Sequence, residues 1–316
     1  SAVAVLLKLI IDRMMRPVDA IVDGGLSRTF DDHPRVSGMH RYPVKGCSAE
    51  GLACMRFDAL GVEGDRRFMI VDQGGSFQSQ RQISRMATVQ VQYLEPEGLQ
   101  LRLLTDPEAQ TRVAYMNPTK LPRTCKIWGA PVALTECSPG ASKWLSDVLG
   151  KEVQLCGCGD GYERRMELAP PGFRRAPAVS LVDAFPILLI SEESVAELSR
   201  RVGRKISPDR FRPNLVVSGL SAPFEEDTWG SVEIGGAIFD VICQRTRCKV
   251  PDVDQDTGEV SSDVTAALAK FRKLAEHPSD LPPGVRDHTG KIVFGITLAL
   301  REGADTEAEI YFGDKI

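Results

Sequence analysis

Between Val36 and about Gly159 the hydrophobic residues come in short β-prone runs separated by turn residues. RRFMIVD precedes QGG, TVQVQYL precedes EPEG, and GLQLRLL comes next. Thr88 to Tyr93 alternates polar and apolar, the period of a strand with one buried face. Turns at this short spacing predict a small barrel or sandwich. One helix fits, Ala141 to Leu149, with Trp144 and Val148 four apart and Gly150 as its stop. The stretch GYERRMELAPPGFRRAPA then breaks the pattern. Pro170, Pro171 and Pro177 disfavour regular structure, so an exposed connection is expected there, with the pairs Arg164-Arg165 and Arg174-Arg175 in solvent.

The second half begins with a strand, Ile187 to Ile190, and a helix that Ser191 caps, Glu192 and Glu193 favour by charge, and Gly203 closes. Val195, Leu198 and Val202 fall on its inward face. PNLVVSG reads as a buried strand. SVEIGGAIFDVICQ reads as a hairpin about Gly235-Gly236, with Phe239, Val241 and Cys243 on one face. A helix from about Val264 to Glu276, and strands around Ile292 to Leu300 and Glu309 to Phe312, complete the chain. Strands outnumber helices and do not alternate with them, which predicts a mainly β fold with α, of the α+β class. No GxGxxG comes after a strand and no GxxxxGK[ST] occurs, which weakens nicotinamide and ATP chemistry.

The 316 residues include 39 Lys+Arg against 43 Asp+Glu, a formal charge of −4, so a protein that clamps nucleic acid is not expected. There are eight Cys and only four His, with no CxxC pair, so structural zinc and a disulfide framework both lack support. The apolar run Ala2 to Ile11 is interrupted by Lys8 and is shorter than the roughly 20 residues of a membrane span. Residues 1–35 are read as an extension, the remnant of a membrane anchor or an amphipathic helix carrying Leu6, Ile10 and Met14, with peripheral or anchored membrane association through it.

The stretch CQRTRCKVPDVDQDTGEV, residues 243 to 260, holds the most pointed chemistry. Strand alternation carries to Cys243, and Cys248 lies beyond it, between Arg247 and Lys249, whose charges favour a thiolate. A thiolate is a soft metal ligand or a nucleophile. Asp252-x-Asp254-x-Asp256 resembles a calcium loop but has Thr257 where an EF-hand needs Gly and Asp263 where it needs Glu. Lys45, the pair Arg66-Arg67, and Arg210 with Arg212 sit beside turns, placed to meet at a phosphate if the fold gathers them.

YPVKGC, GDRRFMIV, FRPNLVVSG and TRC followed by DVDQDTG, in this order, resemble the MOSC family of molybdenum-cofactor proteins. Within it the chain is most similar to the mitochondrial amidoxime reducing components and their plant, algal and fungal relatives. The resemblance runs from Val36 to the C-terminus. It implies an N-terminal MOSC-type β-barrel domain at 36–160, a connection at 161–179, and a β-barrel-like MOSC domain with flanking helices at 180–316. It implies that Cys248 is the molybdenum ligand and catalytic centre. Lys45, Gly46, Arg67, Asp183, Arg212, Asn214, Thr246 and Arg247 would complete the site for molybdenum cofactor, Mo-molybdopterin. Two positions depart from relatives: Gly46 stands where Ser is frequent, and Ala184-Phe185 where hydroxyl residues come after the Asp.

The implied activity is reduction of amidoximes and hydroxylamines to amidines and amines, with nitrite reduction to nitric oxide as a second activity. No Cys lies beyond Cys248, so no iron–sulfur module is expected, and electrons would come from cytochrome b5 and its NADH-dependent reductase. The cytochrome's docking surface is expected at Arg164, Arg165, Arg174 and Arg175, or at Arg200, Arg201, Arg204 and Lys205. The implied location is the mitochondrial outer membrane facing the cytosol, or the cytoplasm if the N-terminal segment is no anchor. The alternative is a non-catalytic MOSC module that binds or carries the cofactor, as in the C-terminal part of molybdenum-cofactor sulfurases.

Overall fold

Serine caps and glycine stops fix two of the helices in the computed structural model. It describes residues 33–316 except 95–97, 114–121, 160, 167–168, 170–172, 275–288 and 304–307. The apolar N-terminal run and the rest of residues 1–32 lie outside the described residues. Helix α1 (Pro139–Leu149) starts where the Ser138 hydroxyl accepts from Ala141 N and ends at Gly150, φ 66°. Its buried apolar residues are Ala141, Leu145 and Leu149, and Trp144 and Val148, the pair four apart, pack partly buried at the margin of that stripe. Helix α2 (Glu192–Val202) has the predicted Ser191 cap and Gly203 stop. Helix α3 (Asp263–Phe271) ends short of the expected Glu276. Beyond it the chain turns into sheet pairing: Lys273 bridges Ile292, and Arg272 O accepts from Val293 N at 2.9 Å. No helix among the described residues is long and apolar enough to cross a membrane.

The class is α+β, as read from the sequence, and strands dominate. In the first half, a five-stranded sheet runs in the order Arg123–Ile127, Ala130–Glu136, Gln154–Gly157, Phe68–Val71, Val44–Lys45. A three-stranded meander, Val89–Leu94, Gly98–Leu103 and Asp106–Val113, packs with it and with α1 around Ile70, Leu99, Leu101 and Leu145. In the second half, a seven-stranded sheet runs Ser231–Ile234, Ala237–Thr246, Val293–Leu300, Ile187–Ser191, Leu215–Ser218, Arg35–Arg41, Glu50–Gly51. Among the described residues these sheets are open ladders rather than closed barrels.

Ile187–Ser191 and Leu215–Ser218 are parallel, and α2 lies between them in sequence, the helical crossover a parallel pair requires. Arg35–Arg41 pairs antiparallel with Leu215–Ser218, so the start of the first half is an integral strand of the second half's sheet. The expected hairpin turns at Gly235 (φ 57°) and Gly236 (φ 82°), and a Cβ at Gly235 would meet Glu309 O at 2.5 Å. Two irregularities, between Val241 and Cys243 and between Gln244 and Thr246, interrupt the strict alternation expected of Ala237–Thr246. Such bulges bend a strand and re-aim the chain beyond it, here the turn that carries Cys248.

Candidate functional site

Loops beside four strand ends meet at one cavity that is open to solvent. Lys45 and Gly46 end the strand Val44–Lys45. Asp183 precedes Ile187–Ser191, Arg212 and Asn214 precede Leu215–Ser218, and Thr246, Arg247 and Cys248 close Ala237–Thr246. Eight of the nine expected residues therefore line one space, though 203 positions separate Lys45 from Cys248 along the chain.

The ninth, Arg67, does not line it. Its Nη2 binds both carboxylate oxygens of Asp58 at 2.6 Å, away from the cavity. Arg66 takes that place. It adopts φ 47°, a left-handed turn that directs it out of the strand's alternation. Its Nη1 donates to Asp65 (2.5 Å) and to Asn214 Oδ1 (3.1 Å), and its guanidinium lies 4.2 Å over the Tyr42 ring.

The lining is strongly cationic. Among the described residues, Lys45, Arg66, Arg81, Arg210, Arg212, Arg245 and Arg247 face a single carboxylate, Asp183. Arg212 matters most for a ligand. Its guanidinium lies 4.3 Å over Tyr42, and Nη1 reaches Gln255 Oε1 only at 3.5 Å. Its Nη2 is buried without a protein partner. Burial pulls its pKa down, with nearby Arg66 acting the same way. A buried, unpaired guanidinium nitrogen among like charges is a ready donor for an anion.

Asp183 is held from several sides. Lys45 Nζ donates to its Oδ1 at 2.5 Å and to Leu181 O at 2.9 Å, Trp128 Nε1 donates to the same Oδ1 at 3.0 Å, and Arg245 lies 3.7 Å from Oδ2. Desolvation opposes ionisation of the carboxyl, yet Lys45 and Arg245 hold it well below the usual carboxylate range. Burial lowers the Lys45 pKa, and Asp183 opposes that shift. Arg164 Nη1 donates to Ser180 O and Val182 O at 2.7 Å, so one arginine expected in solvent instead fixes the loop before Asp183.

Other residues act through the backbone. Arg247 donates to Phe294 O (2.9 and 2.6 Å) and Phe211 O (3.1 Å), which anchors the turn from which Cys248 stands exposed at the cavity. Buried Asn214 accepts from Leu188 N and Arg66 and donates to His40 O. Gly46 has φ 90°, and a Cβ there would lie 2.5 Å from Met86 Cε. The acidic run is structural. Asp252 bonds Thr265 N and hydroxyl, while Asp254 accepts from Asp256 N, Thr257 N and Arg210. Among the described residues no cluster of His, Cys, Asp and Glu is arranged to hold a metal ion.

Sequence reading missed Trp128, Arg81, Phe77 and Arg245, which also line the cavity. It also missed the reciprocal amide pair Gln80–Gln255 (2.9 and 3.0 Å), which ties the two halves together beside it. The signal for Trp128 is local: a Trp-Gly turn between two β-prone runs, where Asn-Gly is the favoured pair. Some of the arginines expected to dock a partner carry surface ion pairs. Arg200 and Arg201 pair with Glu197, and Arg204 with Asp263.

Residues 33–152 match the family described as the MOSC N-terminal beta barrel domain, and residues 176–316 match the MOSC domain. A relative from Rattus norvegicus, "Mitochondrial amidoxime reducing component 2", is 30% identical over 254 residues, 76% of this chain and 73% of its own length. The protein of the same name from Bos taurus is 28% identical over 266 residues, 81% of this chain and 77% of its own. "Molybdenum cofactor sulfurase" from Oryza sativa subsp. japonica is 27% identical over 290 residues, 86% of this chain but 33% of that protein.

Proposed function

The chain belongs to the MOSC family, and from that premise we propose that the cavity holds molybdenum cofactor and that the chain reduces N-hydroxylated compounds. The observation that carries this is the lining itself: seven cations facing one carboxylate, with an unpaired buried guanidinium nitrogen inside and an exposed cysteine at the edge. An anionic, phosphate-bearing group with a soft metal centre meets both needs. Arg66 and Arg212 offer guanidinium donors to a phosphate, and Cys248 offers a sulfur to the metal. Asp183 supplies a fixed negative charge beside Lys45 and Arg245, and Arg247 holds the Cys248 turn in place. The cofactor, when bound, supplies the two-electron redox chemistry for breaking an N–O bond, while the protein supplies orientation and charge.

The proposed substrates are amidoximes and hydroxylamines, with nitrite as a second. The proposed electron source is cytochrome b5 with its NADH-dependent reductase, and the proposed location is the mitochondrion, the compartment in the relatives' names, at its outer membrane. The rice sulfurase favours a second reading, a cofactor-binding module without turnover, because this chain matches only a third of that protein. Metal and pterin analysis beside an amidoxime assay separates the two. The reductase predicts molybdenum near one per chain, reductant-dependent amidine formation, and loss of turnover by at least about 100-fold in Cys248→Ala. Bound pterin with no turnover of any N-hydroxylated compound supports the module. Absence of pterin and molybdenum from both proteins refutes each.

A further inference from the structure

Four non-glycine residues among those described have positive φ, and three of them line the cavity: Arg66 (47°), Trp128 (53°) and Arg212 (58°). The two arginines have evident work there. Trp128 does not, and its position is the least favourable for its residue type. It and Gly129 (φ 87°) form the two-residue loop joining Arg123–Ile127 to Ala130–Glu136, with Ile127 opposite Ala130. Both loop positions need positive φ, the pattern that favours Asn-Gly and disfavours a bulky side chain. Nor does burial explain the tryptophan, since it is 53% exposed.

The surroundings show what holds it. The indole packs on Phe77 with centroids 5.0 Å apart, Arg81 lies 4.5 Å over its ring, and Nε1 donates 3.0 Å across to Asp183. A strained, exposed aromatic residue is thus fixed as a wall of the cavity mouth, beside the one carboxylate among the described lining residues. Strain of this kind persists where surrounding contacts over-determine it, and it concentrates at functional sites.

We propose that Trp128 is the specificity-determining wall of this mouth: the part of the substrate outside the reacting N–O group rests against its indole, which favours planar aromatic N-hydroxylated compounds over small aliphatic ones. This deepens the proposed reductase function and rests on it.

Benzamidoxime and acetamidoxime carry the same reacting group and differ only in phenyl against methyl, so the ratio of their kcat/KM values isolates the wall. An aromatic contact of about 0.5–1.5 kcal/mol corresponds to roughly a 2- to 13-fold preference. Trp128→Phe keeps a ring without the N–H, and Trp128→Asn gives the loop its favoured pair. The expected result is a wild-type preference for benzamidoxime that Phe largely retains and Asn loses, by a factor in that range. Benzamidoxime is also expected to quench wild-type tryptophan fluorescence and to leave Trp128→Asn unquenched. The melting temperature of Trp128→Asn should equal or exceed that of wild type.

An unchanged ratio in Asn overturns the proposal, as does a loss as large in Phe as in Asn, which would assign the effect to the Asp183 hydrogen bond. A marked fall in the melting temperature of Asn does so too, by making the tryptophan structural. Wild-type protein that turns over neither amidoxime refutes the reductase reading instead, and the quenching comparison then still reports on the wall.

Discussion

Replacing Arg212 with glycine should stabilise the cofactor-free chain while weakening its hold on phosphate. Arg212 adopts φ 58°, ψ 49°, a conformation that costs an L-residue roughly 1–2 kcal/mol and glycine little. Its Nη2 is buried without a partner, which costs about another 1–3 kcal/mol. Against these stand the contact with Tyr42 at 4.3 Å, about 0.5–2 kcal/mol, and the extra unfolded-state freedom of glycine, about 0.5–1 kcal/mol. The balance favours Arg212→Gly by roughly 1 kcal/mol. Urea unfolding of cofactor-free protein measures this as a rise in midpoint at constant slope. Inorganic phosphate then reverses the order: at about 100 times its dissociation constant it adds about 2.7 kcal/mol to wild type, and it should add far less to the variant. A loss of more than about 1 kcal/mol in Arg212→Gly without phosphate, or equal stabilisation of both by phosphate, refutes the argument that this guanidinium awaits an anion.

The same cavity carries two further expectations. The Asp183 carboxyl is held below its ordinary 3.8 despite desolvation, so its stabilising effect is present above pH 3.8 and is lost as pH falls through the folded value. The stability gap between wild type and Asp183→Asn, measured by urea unfolding from pH 3 to pH 7, should therefore be constant near neutrality and begin to narrow below about pH 4; a gap that widens on acidification contradicts it. Gly46→Ala places a side chain at φ 90°, and although the Met86 methyl 2.5 Å away belongs to a flexible side chain that can yield, the backbone cannot. A loss of about 1–2 kcal/mol is expected in thermal unfolding, and a neutral result would show that the turn relaxes.

Local rules made much of this molecule legible. Ser191 and Gly203 bound α2 because a hydroxyl cap and a left-handed stop are nearest-neighbour chemistry. The position of Cys248 just past a strand could be read because alternation ends where the polar run begins. Arg66 and Arg67 show where that logic stops. Strand alternation would put the two on opposite faces, but the chain is not yet extended there, and the turn at Arg66, fixed through Asp65 and Tyr42, decides which one enters the cavity. The end of α3 was equally hidden, because its stop is a pairing with residues about twenty positions on. The acidic run fails as a calcium loop on its spacing, and what its carboxylates do instead was hidden, because sequence lists them without saying that Thr265, Thr257 and Arg210 already occupy them.

The cavity wall itself links the two halves. Lys45 comes from the first and grips Asp183 of the second. Gln80 and Gln255 exchange amide hydrogen bonds across the same line, and Arg66 reaches Asn214 and Arg212 O. Arg35–Arg41 is already a strand of the second half's sheet. A ligand that binds the cations lining this seam is therefore bound only when both halves are folded and docked. By linkage, its binding free energy adds to the stability of the whole rather than of either half. The like charges gathered in the wall oppose that docking without a ligand and favour it with one, since an anion removes their mutual repulsion. The feature that marks the site for a phosphate-bearing ligand is thus also what couples its loading to the integrity of the fold.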